Sequence, residues 1–313
     1  MPVRASDLLD FYYDELYPRL QKLEEERKSA AKKVVASSAL IVVATLLFLY
    51  YSGGEYLVET GITAFAAGGF AFRWFISGYR RRFKKRVLGE LVASIDPTLV
   101  YNPVGGIPRE IFVMSGLFDT DIDFYRGEDL IRGRIGETPI EFSNLTVQRI
   151  VEDSKGRKYK ETVFSGTFIV TEFHKHFQKP VLIYPDLAEK YFGVAGSWVQ
   201  GMVSSGLVRM DSPAFEKEFK VYSEDPVEAH YLLTPVIMER LVELRREADA
   251  PVYISFRYNR LFIAIKNGGK WFEPVLFKSL LSLDVFRGYI ENLNLILSIV
   301  EELNLNRRIW SKE

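Results

Sequence analysis

The sequence predicts an α+β fold carried behind an N-terminal transmembrane helical hairpin, and three observations predict it. Residues 34–54 hold no Asp, Glu, Lys or Arg, 21 residues in a row; that is about 31 Å of helix, enough to cross a hydrocarbon core. Between 121 and 222 apolar and polar residues alternate in runs bounded by Gly, Ser and Asp, the period of half-buried antiparallel strands. From Asp284 to Leu303 the apolar positions Phe286, Tyr289, Ile290, Leu293, Ile296, Leu297, Val300 and Leu303 make a helical stripe. It is too wide for a two-stranded coiled coil and suits a helix lying across a sheet.

The hairpin reads as spans over 34–51 and 56–78, joined by Ser52-Gly53-Gly54-Glu55. The second span carries Glu59 and Arg73 with 13 uncharged residues between them. Both lie near its ends, where a charged side chain can reach a headgroup region. Tyr50, Tyr51 and Tyr56 mark one interface, Trp74 and Tyr79 the other. Ala64, Ala67, Gly68 and Ala71 would let the first helix approach closely. A pair of long buried helices in a soluble protein is the competing reading. A signal peptide fits poorly, since the first span starts late and no small-residue cleavage site precedes the second. Lys28, Lys32 and Lys33 precede the first span, and Arg80, Arg81, Arg82, Lys84, Lys85 and Arg86 follow the second, whereas the turn holds one acid and no base. Positive charge resists translocation, so both termini are expected in the cytosol, with the chain in a cell (inner or plasma) membrane as a multi-pass protein.

Composition sets further bounds. The chain has 313 residues, 48% hydrophobic and 14% aromatic, enough to bury a sizeable core. Formal net charge is zero but uneven: residues 1–86 hold 14 basic and 9 acidic side chains, and the remainder 27 and 32. An acidic body behind a basic collar argues against nucleic acid as the partner. The absence of Cys excludes disulfides, thiolate metal sites and cysteine nucleophiles.

In chain order, Leu9, Tyr12, Leu16, Leu20 and Leu23 recur at helical spacing, and from Pro18 a helix can run unbroken into the first span. Glu24 and Lys28 form an i,i+4 pair. Residues 79–95 continue the second helix to a stop at Pro97, so that Leu20 and Leu23 face Val87 and Leu91 in an antiparallel stalk. Strands are expected over 130–135, 140–151, 159–173 and 180–184, a helix over 186–205, then strands over 207–210 and 215–222. Asp225-Pro226-Val227-Glu228 is a helix start with Asp225 as cap and Glu228 closing a box, and Thr234-Pro235 starts a helix reaching Ala248. Residues 252–257 and 261–266 form a hairpin in which Asn259 takes the positive φ. The expected organisation is a cytosolic helix (1–33), the hairpin (34–79), a basic collar and stalk (80–96), a linker (97–120) and a cytosolic α+β domain (121–313). A pleckstrin-homology-like roll capped by its last helix fits the element order.

Several short motifs carry a resemblance. They are Phe164-Ser165-Gly166-Thr167-Phe168, Phe173-His174-Lys175-His176-Phe177, Phe219 through Ala229 with Leu232-Leu233-Thr234-Pro235, Ile254-Ser255-Phe256, Leu261 through Ile265, and Phe272-Glu273-Pro274. With them the chain resembles the domain-of-unknown-function 3137 family of prokaryotic membrane proteins with an N-terminal helical hairpin. The resemblance covers nearly the whole chain. It implies the hairpin and soluble-domain layout, no reaction and no catalytic residues. It also implies a LemA-type membrane protein as a candidate partner.

Three functional readings follow. The first is a non-enzymatic membrane module that binds or scaffolds a protein partner, with homo-oligomerisation left open and no cofactor expected. The second is a metal-dependent hydrolase. His174 and His176 lie two apart, so on a strand they share a face, but the sequence names no third ligand. The third is an anionic-lipid sensor using Lys32, Lys33, Arg80, Arg81, Arg82, Lys84, Lys85 and Arg86, residues that topology control already explains. No Gly-x-Ser-x-Gly, Walker or dinucleotide motif occurs, and Asn267-Gly268-Gly269-Lys270 lacks the context of a phosphate loop.

Overall fold

The computed structural model describes residues 17–172, 178–186, 206–269, 271–273 and 276–305. The chain divides into two compact units, Met1–Leu91 with Glu273–Tyr289, and Val92–Phe272 with Ile290–Glu313.

The first unit is helical. Helix α1 runs Tyr17–Tyr51 and α2 runs Leu57–Phe83, joined by a turn in which Gly53 and Gly54 take φ of 65° and 83°. That left-handed backbone is why glycine stands there. Leu20, Leu23, Glu24, Arg27, Ala30 and Val34 of α1 are buried at spacings of three and four, a single stripe. After α2, residues Lys84–Leu88 form a π-helical turn and α3 follows as Gly89–Ile95. The wider turn re-phases the helix, so Lys84, Val87 and Leu88 point inward while Lys85 and Arg86 stay exposed.

The second unit is built on one open antiparallel sheet of nine strands in the order β1-β2-β3-β4-β9-β8-β5-β7-β6. The strands are β1 Val100–Asn102, β2 Phe124–Ile135, β3 Thr138–Glu152, β4 Lys158–Glu172, β5 Val181–Pro185, β6 Leu207–Val208, β7 Phe219–Ser223, β8 Val252–Arg257 and β9 Arg260–Ile265. Helices α4 (Arg109–Met114), α5 (Pro213–Glu218), α6 (Pro226–Leu232) and α7 (Pro235–Ala248) belong to this unit, as does α8 (Leu283–Leu305) from Ile290 onward. Register aligns Ile131, Phe142, Ile169, Ile263, Ile254, Ile183 and Val221 in one row across seven strands. All seven are buried. The opposite face carries an aromatic cluster in which Phe112 of α4 stacks on Phe118 at 5.4 Å and meets Phe168 at 5.1 Å, with Phe164 and Tyr253 beside Phe118. Burial on both faces explains why the central strands read as nearly continuous apolar runs.

The α+β class and antiparallel meander are as the sequence predicts, and the strand and helix positions differ in instructive places. The sheet has β1 and β6 as edges, so the described strands do not close into a roll. Residues 97–120 contribute β1 and α4 and bury Leu99, Ile107, Phe112, Leu117 and Phe118. The strand expected over 215–222 begins only at Phe219. Ser212 accepts from the Phe215 amide and Pro213 takes the first position, so α5 precedes it. Asp225 caps α6, accepting from Val227 at 2.9 Å and Glu228 at 3.0 Å. The Glu228 carboxylate closes no box; it accepts instead from the Lys179 amide at 3.1 Å. In the β8–β9 turn the positive φ falls on Tyr258, not Asn259. An ideal Cβ on Gly166 would lie 1.9 Å from the Ile265 carbonyl oxygen, so β4 and β9 meet there only because the residue is glycine. Residues 1–16, and beyond Asp186 the helix expected over 186–205, lie outside the described residues.

Candidate functional site: an apolar hairpin and its charged base

Along the hairpin the usual inside-outside pattern is reversed. The face of α1 turned towards α2 carries Ser37, Ile41, Thr45 and Leu49, and that of α2 carries Thr60, Ala64, Gly68, Ala71 and Phe75, all half-buried. Ala64, Gly68 and Ala71 lie half-buried on that face and Ala67 is exposed, but a Cβ added at Gly68 would meet nothing within 4 Å, so the helices do not depend on that glycine for their approach. The large apolar side chains point outward: Leu40, Val43, Leu46, Phe48, Ile62, Phe65 and Phe70 are all more than half exposed. Ser37, Thr45, Thr60 and Thr63 return their hydroxyls to carbonyls three or four residues back, so these four donors are satisfied within their own helices. Among the described residues one helix, Leu20–Tyr51, is long and apolar enough to cross a membrane, with mean hydropathy 2.2 and only 6% of its apolar window buried. The second expected span forms as α2 but does not reach that apolarity.

At the base of the hairpin the same helical stripe becomes charged. Arg27 binds Glu24 through two parallel hydrogen bonds, Nε to Oε2 at 2.8 Å and Nη2 to Oε1 at 2.7 Å, and its Nη1 donates to the Leu276 carbonyl. The Leu280 amide donates to Glu24 at 3.0 Å. Burial pushes the Glu24 carboxyl up, but the Arg27 guanidinium and Leu280 amide more than offset it and hold it below the usual carboxylate value. The expected partner Lys28 is only a distant third, at 3.9 Å. Glu273 receives both Arg80 and Lys84, the latter at 2.9 Å, and its carbonyl accepts from the Tyr289 hydroxyl at 2.8 Å. Arg82 pairs with Glu26. Three of the six cations in the run 80–86 are thus engaged within the unit, while Arg81, Lys85 and Arg86 are exposed. Leu20, Leu23 and Val87 line a cleft of about 280 Å³ with Pro18, Lys22, Arg86 and Glu90, and Leu91 is buried, in keeping with the expected stalk. Lys32 and Lys33 are exposed on α1. His174 and His176 lie outside the described residues, so no metal geometry attaches to them.

The second unit holds a polar string that sequence reasoning missed. Asp129 is fully buried, sits at the β2 bulge between Glu128 and Ile131, and has φ of 60°. Tyr101 donates to its Oδ1 at 2.6 Å and Asn144 to its Oδ2 at 3.1 Å. Thr167 donates to Asn144 at 3.1 Å, Asn267 to Thr167 at 3.0 Å, and the Gly269 amide to Asn267 at 2.9 Å. The string ties β1, β2, β3, β4 and the loop after β9 at one level, and it fixes register where apolar pairing alone permits slippage. The available signal was the acid pair Glu128-Asp129 directly before the apolar pair Leu130-Ile131.

These features define a class: an antiparallel α+β unit accompanied by a helical hairpin whose apolar side chains face outward. Residues 162–305 match the family described as "Protein of unknown function (DUF3137)". No curated protein matches the chain. Among solved structures it is similar to the crystal structure of the mycobacterial trehalose monomycolate transport factor A, TtfA. The identity is 12% and the TM-score 0.34, over 67% of this chain and 95% of that one. A likeness that distant bears on neither fold nor activity.

Proposed function

We propose that this chain is a membrane-anchored module whose hairpin crosses the bilayer with both flanks in the cytosol, and whose sheet unit binds or scaffolds a protein partner there. The observation that carries the anchor is the outward-facing apolar surface of α1 and α2, with Leu40, Leu46, Ile62, Phe65 and Phe70 more than half exposed. Water would penalise that surface by its whole apolar area, whereas lipid does not. The cations on both flanks and the single acid of the turn support the orientation. For partner binding the support is the exposed apolar group Val227, Tyr231 and Val236 on α6 and α7.

The test is affinity purification of the full-length protein from native membranes in mild detergent, with mass spectrometry of what accompanies it. A stoichiometric membrane-protein partner, lost in a Val227→Asp/Tyr231→Asp variant, is the expected result. A protein that purifies alone under several gentle conditions removes the scaffold reading. Release of the protein by alkaline carbonate removes the anchor.

A further inference from the structure

We propose that Lys32, Lys33 and Arg73 form this chain's contact with the phosphate groups of anionic phospholipids, and that the denser run Arg80–Arg86 stands clear of the headgroups as a structural collar. The inference rests on the membrane-spanning reading of the hairpin and deepens it. Two contacts set the register of the hairpin: Arg82 with Glu26 near its base, and Phe48 with Tyr56 at 6.4 Å beside its turn. Interpolating between them brings Arg73 of α2 level with Lys33 of α1.

Above that level the two helices match a bilayer. From Val34 to Tyr51, and from Leu57 to Arg73, each helix rises about 25 Å, which with the uncharged turn residues Ser52, Gly53 and Gly54 approaches the ~30 Å of a hydrocarbon core. Tyr50, Tyr51 and Tyr56 then fall at the far interface, all more than half exposed. Lys32, Lys33 and Arg73 are exposed, and none has an ion-pair partner among the described residues. Arg73 lies on the side of α2 opposite Ala71 and Phe75, and Lys32 on the side of α1 opposite Ala30 and Val34, so the cations surround the hairpin as a belt. Their long stems can lie along the apolar helices while the charged ends reach phosphate.

The collar is placed otherwise. Arg80 is about 10 Å and Arg86 about 20 Å beyond Arg73 along the helix, at or past a Debye length of about 8 Å. Sinking the run 80–86 to the headgroups would carry Arg73, Lys32 and Lys33 a similar distance into hydrocarbon and push the turn out of the far side. Arg80, Arg82 and Lys84 are also engaged by Glu273 and Glu26.

Because the chain has no Cys, single cysteines can be placed in the full-length protein with no background. Spin labels at Phe48→Cys, Phe70→Cys, Ser77→Cys, Arg81→Cys and Lys85→Cys, in vesicles of phosphatidylcholine and phosphatidylglycerol, report depth from oxygen and nickel-chelate accessibility. The expected result is hydrocarbon depth at 48 and 70, headgroup depth at 77, and water at 81 and 85. Headgroup depth at 81 and 85 overturns the belt and leaves the hairpin intact; water at every position removes the hairpin reading itself. Phosphatidylglycerol retained by the purified protein should fall about fivefold for each cation removed in Lys32→Gln, Lys33→Gln and Arg73→Gln. It should stay unchanged in Arg81→Gln/Lys85→Gln/Arg86→Gln, and the reverse pattern overturns the proposal.

Discussion

The Lys84 ammonium lies 2.9 Å from the Glu273 carboxylate, although the two residues are far apart in sequence and Lys84 is only 3% exposed. A lysine at the centre of a basic run would ordinarily point to solvent. Here the π-helical turn directs it inward, and the ion pair fixes the returning segment 273–289 to the helical unit.

Removing the acid should therefore cost more than removing the base. Glu273→Gln removes the carboxylate 2.9 Å from the buried Lys84 ammonium and is expected to destabilise by about 3 kcal/mol, the lower end for a buried pair because Glu273 is partly exposed. Lys84→Met leaves Glu273 paired with Arg80 and should cost less than about 1 kcal/mol. Thermal unfolding of the two variants in detergent, followed by circular dichroism, gives the order. Equal losses would mean that the pair does not hold the segment.

Tyr79 presents the opposite case. Its hydroxyl is buried with no hydrogen-bond partner among the described residues, while its ring packs against Phe83 at 6.2 Å. Tyr79→Phe keeps the ring and removes the unsatisfied group, so stability should be unchanged or rise by about 1 kcal/mol. A clear loss in midpoint temperature would show that the hydroxyl is in use.

The Asp129 string predicts a graded series. Tyr101→Phe withdraws one donor from a buried carboxylate and should cost about 2 kcal/mol. Asp129→Asn tolerates the left-handed backbone but turns an amide towards a donor, at about 2 kcal/mol. Asp129→Leu fails on both counts and should be worst, at about 4 kcal/mol or more. Hydrogen exchange of the β2 and β3 amides locates the damage; unaltered protection in Asp129→Leu would contradict the assigned role.

Alkaline pH should unfold the second unit early. Tyr184, donating to the Leu117 carbonyl at 3.0 Å, and Tyr125, donating to that of Ile107 at 2.8 Å, are both pushed well above the ordinary tyrosine value by burial. A phenol whose folded pKa is raised contributes stability that is complete below its unfolded value of about 10 and is lost as pH climbs beyond it. The unfolding temperature should hold level to about pH 9.5 and fall above pH 10. The fall should be shallower in Tyr184→Phe than in the parent, and identical slopes would exclude Tyr184 as a source.

Much of this fold was legible in the sequence because it depends on local rules. The Thr234-Pro235 cap, the helix ending at Ala248, the paired glycines after the first span and the period-two runs each act over a few residues. The places that misled were cases where a residue's own preference was outweighed by the geometry of its turn or by a partner elsewhere in the chain. Asn259 suits a positive φ, yet Tyr258 takes it. Glu228 suits a capping box, yet the Lys179 amide claims it.

By itself the sequence determined the long apolar first helix, the α+β class and the antiparallel meander, since hydropathy and periodicity encode how much surface each segment must bury and on which side. Only the tertiary structure decided which charges are spent. Whether Lys84, Arg27 or Asp129 faces solvent or a partner depends on chain segments tens to hundreds of residues away, and on a π turn and a bulge that shift helix and strand phase by one residue. Electrostatic pairing falls off within a few ångströms, so it is set by where the backbone arrives rather than by composition or spacing.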